Sequence, residues 1–327
     1  MKVKTDAIVL RHPANVRAAT GIDCDNAWVV EDASGTCLYT DFRYIPMAHR
    51  VAPDLKVRDI RKASVKGRRI GYESTLTMAE FAALKRFAPR GARFIDRTRE
   101  ILARRAVKRP EEIAKLRAAV ALNDRIWQAA SRRFKAGMTE KAMARVIRGL
   151  MLELGDGEAF DTIVCVGANA AECHHVPDGT VWNGREPVLV DMGVKLDGYC
   201  SDMTRCLRPV RPRGLYAKVY DLVLAANRAA IAAARPGMTG KALDKVARDI
   251  IRKGGFGRCF GHALGHGVGL EIHEAPTASK SSDWVLEPGM LVTIEPGVYL
   301  EGNLGVRIED LVLITETGCE VLSVSEK

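Results

Sequence analysis

The sequence lacks long apolar runs and has few aromatic residues, which make up 6% of its 327 residues. A membrane-spanning helix needs about 20 consecutive apolar residues, and no stretch of the chain approaches that length. The composition, 47% hydrophobic and 28% charged, is that of a globular protein. We therefore expect two domains, no membrane partner and a cytoplasmic location.

Motifs of several large enzyme classes are also missing. The sequence has no Gly-x-Ser-x-Gly elbow, no Walker-type phosphate loop and no dinucleotide-binding fingerprint. Its eight cysteines include no Cys-x-x-Cys pair. We therefore predict reduced, buried thiols rather than a disulfide framework or a zinc knuckle.

The net charge of +10 is concentrated in the first third of the chain. Residues 1–105 contain 21 Lys and Arg against 12 Asp and Glu, whereas residues 106–327 contain 29 against 28. The basic residues are dispersed and are not interleaved with aromatic residues as in RNA-binding motifs. This pattern favours a solvated basic face, and we expect no nucleic-acid partner.

The first hundred residues are typical of a small α/β domain. Apolar spacing over Met78–Phe87 predicts a helix, and three short runs bounded by turn residues predict strands at Ala7–Leu10, Ala27–Val30 and Cys37–Thr40. A basic joint, Arg104–Arg109, is followed by a helix start at Pro110. We predict a domain boundary in this joint, with domains over 1–103 and 104–327.

The second domain contains an internal repeat. Gly137–Arg148 and Gly237–Arg248 are identical at seven of twelve positions. In each copy an alanine-rich helix ends near the glycine, and the threonine, Thr139 or Thr239, is a candidate N-cap for the next helix. The repeat predicts two similar halves, with helices packed outside one curved sheet and a site between the halves.

Two aspartates flank a predicted hairpin whose turn is Asp197-Gly198. If these two residues form the loop, Asp191 lies opposite Thr204 and Asp202 lies on the same face. A four-residue loop would place Asp191 directly opposite Asp202. Either register brings two carboxylates together, and such a pair is stable when a cation lies between them.

Further candidate ligands follow along the chain. Segment 261–274 holds three of the seven histidines, Glu295 ends an apolar run, and Glu309 shares one face of a predicted strand with Arg307. The simpler alternatives are a turn contact for Glu295 and an Arg307–Glu309 ion pair. Two aspartates, one histidine and two glutamates from both halves suffice for a two-metal site that hydrolyses a polarised carbonyl compound.

These motifs resemble the creatinase/aminopeptidase P branch of the pita-bread metallopeptidases, over nearly all of 104–327. The resemblance implies an α+β fold, with a small α/β creatinase-like N-terminal domain at 1–103 and a C-terminal pita-bread domain with a pseudo-twofold repeat at 104–327. It rests on five motifs in order: VDMG (190–193), SDMTR (201–205), HALGHGVGLEIHE (262–274), TIEPGVY (293–299) and VRIED (306–310).

The resemblance also implies the roles of individual residues. It implies two divalent ions, usually Mn²⁺ with Co²⁺ or Zn²⁺ as alternatives, held by Asp191, Asp202, His266, Glu295 and Glu309, of which Asp202 and Glu309 bridge both ions. The implied substrate-facing residues are His174, His262, His273 and Arg307. One departure lies just before His174, where Glu172-Cys173 replaces the apolar residue and proline that are common in the family.

The resemblance implies hydrolysis of the bond between an N-terminal residue and a following proline in dipeptides or short peptides, by a homodimer. Two alternatives stay open. One is a non-peptide C–N substrate of the creatinase or ectoine-hydrolase type, and the other is a pita-bread binding protein without catalysis. The metal motifs do not separate a dipeptidase from an aminopeptidase, because that choice depends on the substrate pocket.

Overall fold

The structure, a computed structural model, describes residues 4–207 and 214–327. The chain divides into two compact units between Arg105 and Ala106. Among the helices of the described residues, none is both long and apolar enough to cross a membrane.

The first unit is a mixed sheet with helices. Its strands are hydrogen-bonded in the order β4-β3-β2-β1-β5-β6. The elements are β1 (Ala7–Leu10), α1 (Pro13–Thr20), β2 (Ala27–Asp32), β3 (Gly35–Thr40), α2 (Ile45–Val51), β4 (Lys56–Asp59), β5 (Arg69–Tyr72), α3 (Met78–Phe87), β6 (Arg93–Asp96) and α4 (Thr98–Ala106).

Both faces of this sheet are buried. Along β1, Ile8 and Leu10 pack into one apolar cluster, while Ala7 and Val9 pack into another. This alternation follows from the two-residue period of a strand. The three strands and the helix predicted for this region are confirmed, and β2 and β3 are each two residues longer than expected.

The second unit alternates helix pairs with strands. The elements of the first half are α5 (Pro110–Ser131), α6 (Glu140–Leu154), β7 (Gly157–Glu158), β8 (Ile163–Val166), β9 (Val188–Met192), β10 (Val194–Leu196), β11 (Tyr199–Cys200) and β12 (Met203–Leu207). Those of the second half are α7 (Gly214–Ala233), α8 (Gly240–Lys253), β13 (Gly265–Gly267), β14 (Glu274–Ala278), β15 (Leu291–Ile294), β16 (Gly297–Leu300), β17 (Leu304–Arg307), β18 (Asp310–Ile314) and β19 (Cys319–Val321).

The predicted helix starts are confirmed. Pro110 opens α5, and the Glu112 side chain accepts a hydrogen bond from the Arg109 backbone N–H. Thr139 and Thr239 cap α6 and α8 in the same way, each accepting from the backbone N–H three residues later, at 3.1 and 3.2 Å. The repeat in the sequence is therefore a repeat in local structure.

The expectation of one curved sheet is wrong in detail. Within residues 106–207 and 214–327 the ladders form four sheets, in the orders β11-β10-β7, β12-β9-β8, β14-β13-β15-β18-β19 and β16-β17. The hairpin that carries the two aspartates is itself split between two of these sheets. Its strands separate at Gly193, where a side chain would overlap the Ser201 carbonyl.

The hairpin has the register of the two-residue loop. Leu196 pairs with Tyr199, and Asp191 pairs with Thr204. The loop residues Asp197 and Gly198 both have positive φ, at 50° and 73°, as a tight turn of this kind requires. The four-residue alternative, which would have paired Asp191 with Asp202, is excluded.

The single strand predicted around Arg307 and Glu309 is wrong. Arg307 ends β17, and the chain leaves the ladder at Ile308 and Glu309 before β18 begins at Asp310. The cause is a change of partner, since β17 pairs with β16 and β18 pairs with β15. Glu309 therefore lies at a junction between two sheets.

Candidate metal centre

All nine residues predicted for the site line one cavity of about 400 Å³ in the second unit. Both halves of the repeat contribute to it. The first half provides His174, Asp191 and Asp202, and the second half provides His262, His266, His273, Glu295, Arg307 and Glu309.

Three of the predicted ligands lie where the chain passes from one sheet to another. Asp202 lies between β11 and β12, Glu295 between β15 and β16, and Glu309 between β17 and β18. At such junctions the side chains do not have to follow the alternation of a ladder. We define these three junctions as the seams of the unit.

The seams bring carboxylates and an imidazole close together. Ligand atoms of Asp202, His266 and Glu309 all lie within 4.8 Å of one another. His266 Nε2 is 3.6 Å from Asp202 Oδ2 and 3.4 Å from Glu295 Oε1. These separations exceed good hydrogen bonds and leave room for an ion between the ligand atoms.

The carboxylates of this cluster are held in an environment that disfavours their charge. Burial and the Glu309 carboxylate raise the pKa of Asp202 well above its ordinary value, and burial and Glu295 do the same for Glu309. Burial raises the pKa of Glu295 to about 8 even though Arg307 acts in the opposite direction. Divalent cations would supply the missing positive charge.

Asp191 gives an independent indication that the residues fit a metal. Its Oδ2 accepts a 2.6 Å hydrogen bond from Arg307 Nη2. Its Oδ1 is buried and has no hydrogen-bond partner among the described residues. A buried oxygen in this state is costly unless something binds it, and Asp191 lines the same cavity as the other predicted ligands.

The tautomer of His266 suits a ligand. Its Nδ1 lies 3.1 Å from the Gly267 carbonyl oxygen and so carries the proton, which leaves Nε2 with a lone pair towards Asp202 and Glu295. Burial, together with the neighbouring His273, lowers the pKa of His266 to about 4. The ring is therefore neutral at pH 7, as metal binding requires.

Arg307 organises the site through four contacts. Besides Asp191, its guanidinium donates to Tyr299 Oη at 2.8 Å, to Thr204 Oγ1 at 3.0 Å and to the Cys173 carbonyl oxygen at 3.4 Å. The Thr204 hydroxyl donates in turn to Glu309 Oε2 at 2.8 Å. The alternative of a simple Arg307–Glu309 pair is therefore incorrect, because Arg307 reaches Glu309 only through Thr204.

The predicted substrate-facing histidines differ in the hydrogen bonds that their ring nitrogens make. His262 Nδ1 lies 2.7 Å from the Ala263 carbonyl, so Nε2 accepts the 2.8 Å bond from the Tyr299 hydroxyl. Both nitrogens of His262 are thus occupied. His174 and His273, by contrast, have no side-chain hydrogen bond within the described part of the chain, and both line the cavity. Their ring nitrogens are available to a ligand.

Sequence reasoning missed the roles of Tyr299 and Thr204. Tyr299 lies within a quoted motif, but its ring folds back over Gly297, where a side chain would meet the Tyr299 hydroxyl at 2.5 Å. The glycine two residues earlier was the available signal. Thr204 was identified only as the residue opposite Asp191, and nothing in the sequence connects it with Glu309, which is 105 residues away.

The fold and this cavity define a metal-dependent hydrolase, because oxygen ligands and one imidazole converge on a buried, cation-deficient site. The profile of metallopeptidase family M24 matches residues 114–316. The chain belongs to this family of metallopeptidases.

Individual relatives agree with the assignment. An uncharacterized peptidase of Staphylococcus aureus is 41% identical over 224 residues, which are 68% of this chain and 64% of that protein. The structure of the prolidase from Pyrococcus furiosus superposes with a TM-score of 0.91 at 34% identity, covering 99% of this chain and 97% of that chain. The X-Pro aminopeptidase from Thermotoga maritima gives 0.87 at 32% identity, covering 98% and 96%.

Proposed function

We propose that this metallopeptidase uses two divalent cations to hydrolyse the bond between an N-terminal residue and a following proline in short peptides. The observation that carries the proposal is the convergence of five candidate ligands from both repeat halves on one cavity. The similarity to the structures of a prolidase and an X-Pro aminopeptidase supports the substrate class.

In this proposal the two cations are held by Asp191, Asp202, His266, Glu295 and Glu309, with Asp202 and Glu309 shared between them. When bound, such ions lower the pKa of a water molecule and polarise the scissile carbonyl. Mn²⁺ fits a site of four carboxylates and one imidazole, and Co²⁺ or Zn²⁺ can use the same ligands.

The remaining residues act on the substrate and on the ligands. Burial and the neighbouring His174 lower the pKa of His273, so its ring is neutral at pH 7 and can accept a proton at one nitrogen while donating from the other. His174 faces the same space and can donate to the substrate carbonyl. Arg307 holds Asp191 Oδ2 and leaves Oδ1 as the oxygen that can bind a cation.

His262 has a different part in this proposal. Its bonds to the Ala263 carbonyl and the Tyr299 hydroxyl leave it without a free ring nitrogen. Burial and the Arg307 charge lower the pKa of His262 to about 4, so it stays neutral. It therefore contacts substrate through the face of its ring and fixes Tyr299, rather than moving a proton.

Peptide hydrolysis by metal-stripped protein, with and without added Mn²⁺, tests the proposal. The substrates are Xaa-Pro dipeptides, Xaa-Pro-Yaa tripeptides and the matching peptides with alanine in place of proline. We expect Mn²⁺ to restore cleavage of the proline peptides only, and the ratio of dipeptide to tripeptide turnover then gives the subclass. Bound metal without cleavage of any peptide would contradict the proposal.

That negative result would favour a non-peptide C–N hydrolase of the creatinase or ectoine-hydrolase type, or a binding role. Hydrolysis of creatine-like or N-acyl substrates by the metal-loaded protein identifies the first. The second predicts a ligand without turnover. Retention of five convergent ligands argues against a pure binding role, since a scaffold does not need them.

Location and assembly complete the proposal. The eight cysteines all lie among the described residues and form no disulfide there, which suits a reducing compartment, and we place the protein in the cytoplasm. The family resemblance favours a homodimer. Light scattering coupled to size-exclusion chromatography measures the mass of the assembly, and a value near the 35.8 kDa of one chain would contradict the dimer.

A further inference from the structure

A second cluster of titratable residues lies outside the metal centre, around Glu140 at the start of α6. The Glu140 side chain is fully buried. Its Oε1 accepts hydrogen bonds from the Val166 backbone N–H at 2.7 Å and from Asn169 Nδ2 at 2.9 Å. Its Oε2 accepts from His175 Nε2 at 2.7 Å and from the Asp178 backbone N–H at 3.0 Å. One carboxylate thus ties residues 166–178 at four points.

These contacts argue against a second metal site, although Glu140, His175 and Asp178 lie close enough to hold an ion. Each carboxylate oxygen of Glu140 already accepts two hydrogen bonds, so no lone pair is left for a cation. The 2.7 Å separation of Glu140 and His175 is that of a charge-assisted hydrogen bond. Protein donors alone satisfy both oxygens of Glu140, so the cluster needs no ion.

His175 belongs to this cluster as a donor at both ring nitrogens. Nδ1 lies 3.1 Å from Glu172 Oε2, on the side opposite Glu140. Burial alone would lower the pKa of His175, but its hydrogen bonds to Glu140 and Glu172 outweigh burial and raise it. The Glu140–His175 contact therefore has the character of a buried ion pair, which is costly to break from one side.

The tied segment carries His174, one of the two cavity histidines whose rings make no hydrogen bond to any described residue. His175 is 9% exposed and points into the protein, whereas the adjacent His174 is exposed and lines the cavity. Both residues belong to the turn at 172–175, in which the His175 N–H donates to the Glu172 carbonyl oxygen at 3.2 Å. Because His174 lies within this turn, fixing the His175 ring against Glu140 also restrains the backbone that carries His174.

The second repeat half shows that Glu140 is not needed to start the helix. Gly137 and Gly237 donate backbone hydrogen bonds of 2.8 and 2.9 Å to matching carbonyls in their halves. The backbone N–H of the residue after each capping threonine also donates to an equivalent carbonyl, Glu140 to Thr180 and Gly240 to Trp284. Yet a side chain at Gly240 would overlap the Thr277 carbonyl and lie 2.6 Å from Ser282 Oγ. At this position only the first half carries a carboxylate.

We propose that Glu140 and His175 are positioning residues that hold the 166–178 segment so that His174 points at the substrate. The inference rests on the proposed function only in that it takes His174 to act on the substrate. Glu140 and His175 do not line the cavity, and both act through His174, which does.

The test is a double-mutant cycle measured on Mn²⁺-loaded enzyme with an Xaa-Pro dipeptide. Glu140→Gln turns one carboxylate oxygen into a donor that faces two other donors, so we expect kcat to fall about 10-fold to 100-fold with KM and metal content little changed. His175→Gln keeps a donor towards Glu140 and should retain most of the activity. In a His174→Ala background, Glu140→Gln should lower kcat by no more than about two-fold.

A matched control is available in the first unit. Glu73 is also fully buried and accepts hydrogen bonds from the Arg11 and His12 backbones and from Asn15. We expect Glu73→Gln to lower Tm while kcat stays within about two-fold of wild type. An equal fall in kcat for Glu140→Gln in both backgrounds, or the same fall in Glu73→Gln, would overturn the inference.

Failure of the proposed function would be seen separately, as wild-type protein that cleaves no peptide. The positioning of His174 is then read without activity, from the ring signals of ¹³C-labelled histidine in metal-free protein. Seven histidines give few signals, and His174→Ala identifies the one from His174. We expect Glu140→Gln to shift that signal and Glu73→Gln to leave it in place. An unchanged signal in Glu140→Gln would overturn the inference.

Discussion

The two halves of the second unit share a backbone plan but differ in what they place beside the cavity. In both halves a threonine caps the second helix, α6 or α8, and the backbone around the cap makes the same pattern of hydrogen bonds. The first half then places a buried glutamate, Glu140, where the second has Gly240 in close contact with backbone. A duplicated fold has thus kept its scaffold and divided the tasks of its side chains.

The ligand set shows the same division. Of the five proposed ligands, the first half supplies Asp191 and Asp202 from one hairpin, while the second supplies His266 from β13 and Glu295 and Glu309 from two strand junctions. Neither set alone surrounds a cation. The site therefore depends on the packing of the halves against each other, which makes variants of either half informative about both.

The largest expected effect comes from the two carboxylates, one from each half, that we propose are shared between the ions. Asp202→Asn and Glu309→Gln should each lower kcat/KM by on the order of 10³-fold, because each removes a ligand common to both ions. In metal-free protein the same changes remove one of several repelling buried charges, so we expect Tm to rise by a few degrees. Peptide hydrolysis, metal analysis and thermal unfolding measure these effects.

Asp124→Asn is the control for that pair. Asp124 is a buried carboxylate on α5 that accepts backbone hydrogen bonds from Val324 and Ser325, away from the cavity. It should retain metal and lose stability whether metal is present or not. Wild-type turnover in either ligand variant would refute the shared-carboxylate assignment.

The next largest effect should come from Gly240→Ala, which tests the difference between the halves at this position. Its methyl group would overlap the Thr277 carbonyl, so we expect a loss of about 3 kcal/mol in the free energy of unfolding. Gly149→Ala, inside α6 with open space around the added carbon, should instead stabilise by about 0.5–1 kcal/mol. Urea unfolding compares the two, and equal effects would contradict the asymmetry.

The pH dependence of metal-free protein tests the charge balance of the cavity. The pKa of Glu295 is raised in the folded state from 4.5 to about 8, so the folded protein binds more protons than the unfolded chain between these values. Stability must then fall as pH rises from about 4.5 towards 8. We expect Tm to fall by a few degrees across this window.

Mn²⁺ should remove most of that fall, since it replaces the protons as the counter-charge. Thermal unfolding at a series of pH values, with chelator and with Mn²⁺, measures both curves. Parallel curves would show that the buried carboxylates are not the cation site.

The smallest expected effects should be equal in the two halves. Thr139→Ala and Thr239→Ala each remove one side-chain cap with nearly the same geometry, so each should cost about 1 kcal/mol. Urea unfolding of both variants measures the losses. A difference of more than about two-fold would mean that the halves differ already at the cap, before Glu140 and Gly240.

Local sequence signals predicted the parts of the fold that depend on local rules. The Asp197-Gly198 turn allowed the correct hairpin register as one of two possibilities, and the repeat predicted both threonine caps. The resemblance to the family supplied the nine cavity residues that the structure brings together. These features depend on turn geometry, capping and ordered motifs, all of which are visible in the sequence.

The contacts between distant segments were not predictable. The break at Ile308 and Glu309 follows from a change of pairing partner, which an apolar run does not reveal. In the aligned repeat Glu140 occupies the position of Gly240, so the sequence shows this difference. The hydrogen-bond partners of Glu140, however, lie 26 to 38 residues away. Arg307 looked like a partner of Glu309, two residues on, and instead binds Asp191, 116 residues away.

The seams that carry Asp202, Glu295 and Glu309 have a mechanical consequence. Because no backbone ladder continues through them, cations bound there would cross-link sheets that are not paired with each other by a continuous ladder. Metal loading should then slow amide hydrogen exchange next to all three seams together, while exchange within the ladders changes little. The ions would stabilise the packing of the sheets in addition to taking part in the reaction.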